Sequence, residues 1–126
     1  MERELYQKIW DAIAGTLPEN WESVIFYVEY IGKSYEMKYY VSTPEQKNIS
    51  CFQLGTVGRM DLIRRFMQID RAVSVVRAAL DEEKRWTVLT LTVDKNGHFK
   101  AYYDYCDLSE DTLGYEQQWK KKYLTD

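Results

Sequence analysis

The chain reads as an α+β protein, a two-layer sandwich in which helices pack on an antiparallel sheet of four to five strands. Three observations predict this. Segments 21–31 and 86–93 are rich in aromatic and β-branched residues, and each is followed by a short turn and a second strand-like segment. Segments 2–16, 59–83 and 112–124 instead repeat apolar residues at helical spacing. Strand-to-strand connections are short, which suits antiparallel neighbours. The predicted order is α-β-β-(β)-α-β-β-α, with one sheet face under helices and the other partly open.

Each element has its own signal. In 2–16, Leu5, Ile9, Ala12, Ile13 and Leu17 form a stripe that Tyr6 and Trp10 widen, and Gly15 and Pro18 end the helix. Residues 21–31 form a strand, Gly32-Lys33-Ser34 a turn, and residues 35–42 run back. There Tyr35, Met37 and Tyr39 share one face, and Glu36, Lys38 and Tyr40 the other. A polar loop, 43–48, leads to a short third strand at 49–52. In 59–83, Leu62, Phe66, Ile69, Val73, Val76 and Leu80 make one apolar stripe, while Arg64, Arg65, Arg71 and Arg77 read as a solvated face. Residues 86–93 alternate, with Leu89, Leu91 and Val93 on one face. Asp94-Lys95-Asn96-Gly97 is a hairpin signal, because Asn-Gly accepts positive φ at low cost. Residues 98–105 return, and 112–124 close the chain as a helix carrying Tyr115, Trp119 and Tyr123.

With 126 residues and no linker or repeat, residues 1–126 are expected to form a single domain with its own core. Net charge is −3, from 17 basic and 20 acidic residues, which disfavours direct nucleic-acid binding. No apolar run is long enough to span a membrane, and the charged start Met1–Leu5 lacks a secretory signal. Cys51 and Cys106, the only cysteines, are expected to be free thiols, and the cytoplasm is the expected compartment. Eleven tyrosines and four tryptophans suit a binding surface, since both types are enriched at interface hot spots.

The chemistry-bearing patterns are few. The one histidine, His98, sits after a hairpin turn, so a Cys–His nucleophile with Cys51 or Cys106 is disfavoured. No spaced metal-ligand motif occurs, and 54–59 lacks the glycine pattern of a phosphate loop. No catalytic residue, metal ligand or cofactor is assigned. One cluster stands out: Asp104, Asp107, Glu110 and Asp111, interleaved with Tyr102, Tyr103 and Tyr105. Capping of the last helix by Ser109 or Asp111 accounts for residues 109–111 but not for Asp104 and Asp107. The cluster as a whole can meet a basic partner surface, or serve acid/base or divalent-cation chemistry.

Four runs in the last third occur in fixed order: Trp86–Asp94, then Asn96-Gly97-His98-Phe99-Lys100, then Tyr103-Asp104-Tyr105 with Asp107-Leu108, then Tyr115-Glu116 followed by Trp119 and Tyr123-Leu124. Pro18-Glu19 with Trp21-Glu22 precedes a tyrosine-rich strand. Together they resemble the YezG-like immunity protein family, antitoxins of bacterial polymorphic toxin systems, over most of the chain and weakly at 43–60. The resemblance implies a non-enzymatic cytoplasmic protein, with no direct nucleic-acid or membrane partner. It would bind one to one, as a monomer, the C-terminal domain of a cognate secreted toxin, often a nuclease, from an LXG or contact-dependent growth inhibition system. The family's motif maps onto Trp86, Asp94, Gly97, Tyr103, Asp104, Tyr105 and Asp107. Of these, Trp86, Asp94, Gly97, Tyr103 and Tyr105 are expected to be structural. Tyr102, Asp104, Asp107, Glu110 and Asp111 are the expected toxin-binding residues. Two other readings stay open. One is a small metal-dependent hydrolase built on Asp104, Asp107 and Glu110. The other is a nucleic-acid module using Arg59, Arg64, Arg65, Arg71 and Arg77.

Overall fold

Strand β1 (Ser23–Ile31) occupies the centre of the sheet, and its sequence shows why. Val24, Phe26, Val28 and Tyr30 alternate with Ile25, Tyr27, Glu29 and Ile31, so both faces carry large side chains that need cover. Five of its nine residues in succession, Phe26–Tyr30, are buried. A computed structural model, which describes residues 2–124, places β1 between β2 (Ser34–Ser42) and β4 (Val88–Asp94). The short β3 (Ile49–Ser50) borders β2, and β5 (Phe99–Asp104) borders β4. The order is β3-β2-β1-β4-β5, antiparallel throughout. The α+β class, a strand number within the predicted four to five and the order of the main elements are as the sequence predicts. The third strand, however, ends at Ser50 rather than at 52, because Cys51–Gln53 turn into a 3-10 helix capped by Ser50.

Both hairpin turns rest on glycine. Gly32, at φ 59°, opens the two-residue turn between Ile31 and Ser34. In the second hairpin the Asn96-Gly97 signal is realised in a three-residue loop. Asp94 O accepts from Gly97 N at 3.1 Å, Asp94 N donates to His98 O at 3.0 Å, and only Gly97 takes positive φ, 89°. Asp94 completes the loop by accepting from the amides of Asn96 and His98 at 2.9 and 3.0 Å.

Helix α1 (Glu2–Ala14) seats Leu5, Ile9 and Ile13 on the first sheet face, and each such burial contributes about 1.5–3 kcal/mol. Beside it α2 (Arg59–Ala78) buries Leu62, Phe66, Ile69 and Val73. Val76 and Leu80 lie partly buried at the edge of this core.

The sequence predicts that this helix runs to residue 83, but it stops at Ala78. Arg85 folds back and donates to the carbonyls of Arg77, Ala78 and Leu80 at 3.2, 3.3 and 2.7 Å, supplying side-chain donors at the helix end, where no further turn follows. The end of α1 is treated similarly: Arg65 donates to Ala12 O at 2.9 Å. Two of the four arginines expected to lie in solvent are thus tied inward. Arg77 donates to Trp86 O at 2.7 Å and lies over the rings of Tyr30 and Trp86, whereas Arg64 and Arg71 are exposed.

Helix α3 (Thr112–Tyr123) crosses the other sheet face. Trp119 packs on Tyr27 and Tyr40 and donates to Thr90 Oγ1 at 2.9 Å. With Tyr27, Val88 and Leu108 it forms a second, smaller core. The main two layers are therefore α1 and α2 on the sheet, and α3 covers part of the face the sequence leaves open.

Candidate functional site

Strand register carries distant acids into one row. Glu36 pairs with Glu29, Glu29 with Val88, and Val88 with Asp104, so these four side chains cross the sheet on the α3 face. The next row is Lys38, Tyr27, Thr90 and Tyr102. Helix α3 lays Glu116 and Tyr115 over the first row and Trp119 and Tyr123 over the second.

At one end of the row Glu29, only 3% exposed, accepts from the Tyr27 hydroxyl at 2.7 Å. Burial and that carboxylate push the Tyr27 hydroxyl far above its ordinary range. Lys38 donates to Glu116 at 2.9 Å. Glu36 shares a hydrogen bond with Glu116, which, helped by burial, pushes Glu36 up to about 7. Burial opposes ionisation of Glu116, but hydrogen bonds with Glu36 and Lys38 outweigh it and hold Glu116 low. Glu29, Glu36 and Glu116 each offer an oxygen within 4.8 Å of the others, so they could share one divalent cation. The Lys38 ammonium already supplies positive charge there.

This cluster sets a pH dependence. A protonated Glu36 donates to Glu116, and an ionised one repels it. Because Glu36 titrates higher folded than its ordinary 4.5, its contribution is full below that value and lost as pH rises through about 7. Glu116 acts in the opposite sense, at lower pH. Between pH 5 and 8 the melting temperature is therefore expected to carry a downward component that Glu36→Gln abolishes, since the amide can donate at every pH. Thermal unfolding of both proteins across that window checks it. An unchanged pH slope in the variant would refute the proton-sharing arrangement.

At the other end lie the sequence-predicted acids, all exposed, and three of the four are held by hydrogen bonds. Asp104 accepts from the Tyr115 hydroxyl. Asp107 accepts from Ser109 N and Oγ at 2.9 and 2.6 Å, and these bonds hold it below the usual carboxylate range. Asp111 caps α3, accepting from Gly114 N at 2.9 Å. A Cβ on Gly114 would sit 2.1 Å from that carboxylate, so any side chain there would force the Asp111 carboxylate to shift. Glu110 is exposed on the loop before α3, and Tyr102 stacks on Tyr123. Capping thus explains Asp111, and the turn at Ser109 explains Asp107. Among the described residues, Asp104, Asp107 and Glu110 do not converge as a three-ligand set.

The motif residues separate as well. Trp86 is buried between Tyr30 and Tyr103. Tyr103 is half-buried and hydrogen bonds the Tyr6 hydroxyl. Asp94 and Gly97 shape the hairpin, while Tyr105 is 58% exposed. No thiol–imidazole pair forms. Cys51 is a buried free thiol beside β3, pushed up by burial, and the exposed Cys106 lies beyond the end of β5 opposite His98. His98 pairs instead with Asp94, at 2.8 Å.

The Glu29–Glu36 part of the row escaped sequence reasoning, although a signal existed. Both residues stand equally far from the Gly32–Lys33 turn, so a two-residue hairpin sets them opposite one another. Among the described residues no helix is long and apolar enough to cross a membrane.

Comparison with known proteins adds the following. The model of the family described as "Immunity protein YezG-like" matches residues 2–126. Immunity protein YezG of Bacillus subtilis (strain 168) is 26% identical over 123 residues, covering 91% of this chain and 81% of its own. Immunity protein YezG of Bacillus spizizenii (strain ATCC 23059 / NRRL B-14472 / W23) is 26% identical over 124 residues, covering 91% and 75%.

Proposed function

The chain belongs to the YezG-like immunity protein family, and on that premise we propose that it is a cytoplasmic antitoxin. It binds, as a single domain and one to one, the C-terminal toxin domain of a cognate secreted polymorphic or contact-dependent toxin. The family match over residues 2–126 carries the reading. Membership of an immunity family points to binding rather than catalysis.

The toxin-facing surface is the rim of Tyr102, Asp104, Asp107, Glu110 and Asp111. A nuclease must present a cationic groove to phosphate, and an acidic rim can occupy it. The rim suits that task physically. Tyr115, Ser109 and Gly114 hold three of its carboxylates in place, so little side-chain freedom remains to be lost on binding. Tyr102, 40% exposed and braced on Tyr123, offers a rigid aromatic contact.

The test is co-expression with the C-terminal domain encoded immediately upstream, scored by growth rescue and co-purification. Asp104→Ala, Asp107→Ala and Glu110→Ala are each expected to weaken binding by about tenfold, through slower association at low salt where the charge stays at the rim and through faster dissociation where the toxin buries it. Retained affinity in all three, with unchanged melting temperatures, removes the rim from the interface. Neither rescue nor a complex with the unaltered chain removes the immunity assignment for that pair.

A further inference from the structure

The outer edge of β5 has no strand beside it among the described residues. Asp94 N bonds His98 O, which fixes the alternation along the β4–β5 pair. Residues 98, 100, 102 and 104 turn their backbone groups toward β4, so Phe99, Ala101 and Tyr103 turn theirs outward. Such an edge is a template for strand pairing, and proteins usually blunt it. Here the strand is six residues long, without proline, and Lys100 is its one basic residue.

The surfaces flanking this edge differ sharply. On the α1 side two mainly apolar grooves open beside it, with Glu2 at the border of both, Arg3 on the first and Lys84 on the second. One, of about 530 Å³, is lined by Tyr6, Trp10, Val93 and Phe99. The other, of about 630 Å³, is lined by Leu5, Val76, Leu80, Trp86, Tyr103 and Tyr105. Phe99 and Tyr103 mark the two grooves, four residues apart, or about 13 Å along a strand. On the α3 side Lys100 and Lys122 border a third groove with Tyr102, and neither lysine is paired with a carboxylate among the described residues. Asp94 also lines it, but it already holds His98.

We infer that the β5 edge receives an extended strand of the cognate toxin domain, adding a sixth strand to the sheet. The proposal rests on the immunity reading and specifies its partner. The incoming strand carries apolar side chains four residues apart for the two α1-side grooves. Acidic side chains between them face Lys100 and Lys122, because successive residues of a strand point to opposite faces. Backbone bonding supplies adhesion, while the grooves and lysines set register and choice of partner.

Amide hydrogen exchange on the unaltered chain, free and bound to the upstream-encoded domain, tests this directly. The amides of Phe99, Ala101 and Tyr103 are expected to exchange at least about tenfold more slowly in the complex. Ala101→Pro removes one outward N–H where an edge strand tolerates proline, and is expected to weaken binding by at least about tenfold. Lys100→Glu and Lys122→Glu are expected to slow association, with less effect at high salt. A complex that forms but leaves those three amides exchanging as in the free chain overturns the inference and spares the immunity reading. Protection of the same amides in the free chain, growing with its concentration, overturns it in favour of a second copy as occupant. Absence of any complex defeats the immunity reading for that pair, and the inference with it.

Discussion

Trp119→Ala is expected to release α3 from the sheet and to lower the unfolding free energy by about 3–5 kcal/mol. The indole is 3% exposed and is the one fully buried side chain of α3. It meets Tyr27 edge-on with ring centroids 4.7 Å apart, lies 6.0 Å from Tyr40 and donates to Thr90. Its removal leaves a large cavity over the sheet and an unsatisfied hydroxyl. The other ties of α3, among them the Lys38–Glu116 and Tyr115–Asp104 contacts and the packing of Tyr123 on Tyr102, lie nearer solvent and contribute less. Urea denaturation measures the loss. Trp119→Phe is expected to cost less than alanine, since it keeps one ring and forfeits the bond to Thr90, at about 1–3 kcal/mol, together with the smaller volume of the second ring. A loss below about 1 kcal/mol in the alanine variant would mean that α3 is not anchored by this ring.

Trp86→Ala is expected to cost a comparable amount, about 3–5 kcal/mol, by loosening the opposite face. Trp86 is 3% exposed, with Tyr30 and Tyr103 at ring distances of 5.8 and 5.6 Å and the Arg77 guanidinium 5.7 Å from its centroid. The substitution opens the first core beneath the last turn of α2. Arg77→Met keeps the aliphatic stem, loses the cation over two rings and the bond to Trp86 O, and is expected to cost less, about 1–3 kcal/mol. Chemical denaturation of both variants checks the order, and a milder loss in Trp86→Ala than in Arg77→Met would overturn it.

The sheet was legible because its signals are local. The aromatic and β-branched run at 21–31, the alternation at 86–93 and the glycines at 32 and 97 placed strands and turns with no knowledge of neighbours. Where tertiary contacts decide, local reading fails. The end of α2 carries neither glycine nor proline, and its cap arrives from Arg85, beyond the helix. Arg65 and Arg77 look like solvated charges in a helical pattern, but the neighbouring elements offer them carbonyls and ring faces. The candidate site divides in the same way. Asp107 and Asp111 find partners within three residues, which turn and capping rules can anticipate. Asp104 joins Glu29 and Glu36 in one row only through the β1–β4 pairing, and Glu116 only through the path of α3 across the sheet.

The central position of β1 also bears on how the chain assembles. Its pairing with β2 closes across two residues and needs almost no loop-closure entropy. Its pairing with β4 must wait until everything from β2 through α2 has been made and folded out of the way. During synthesis the nascent chain therefore holds an early hairpin whose inner strand has one edge open, and the late non-local contact with β4 sets the folding rate. Until β4 docks, the Val24–Tyr30 edge is the segment most exposed to mispairing with another chain.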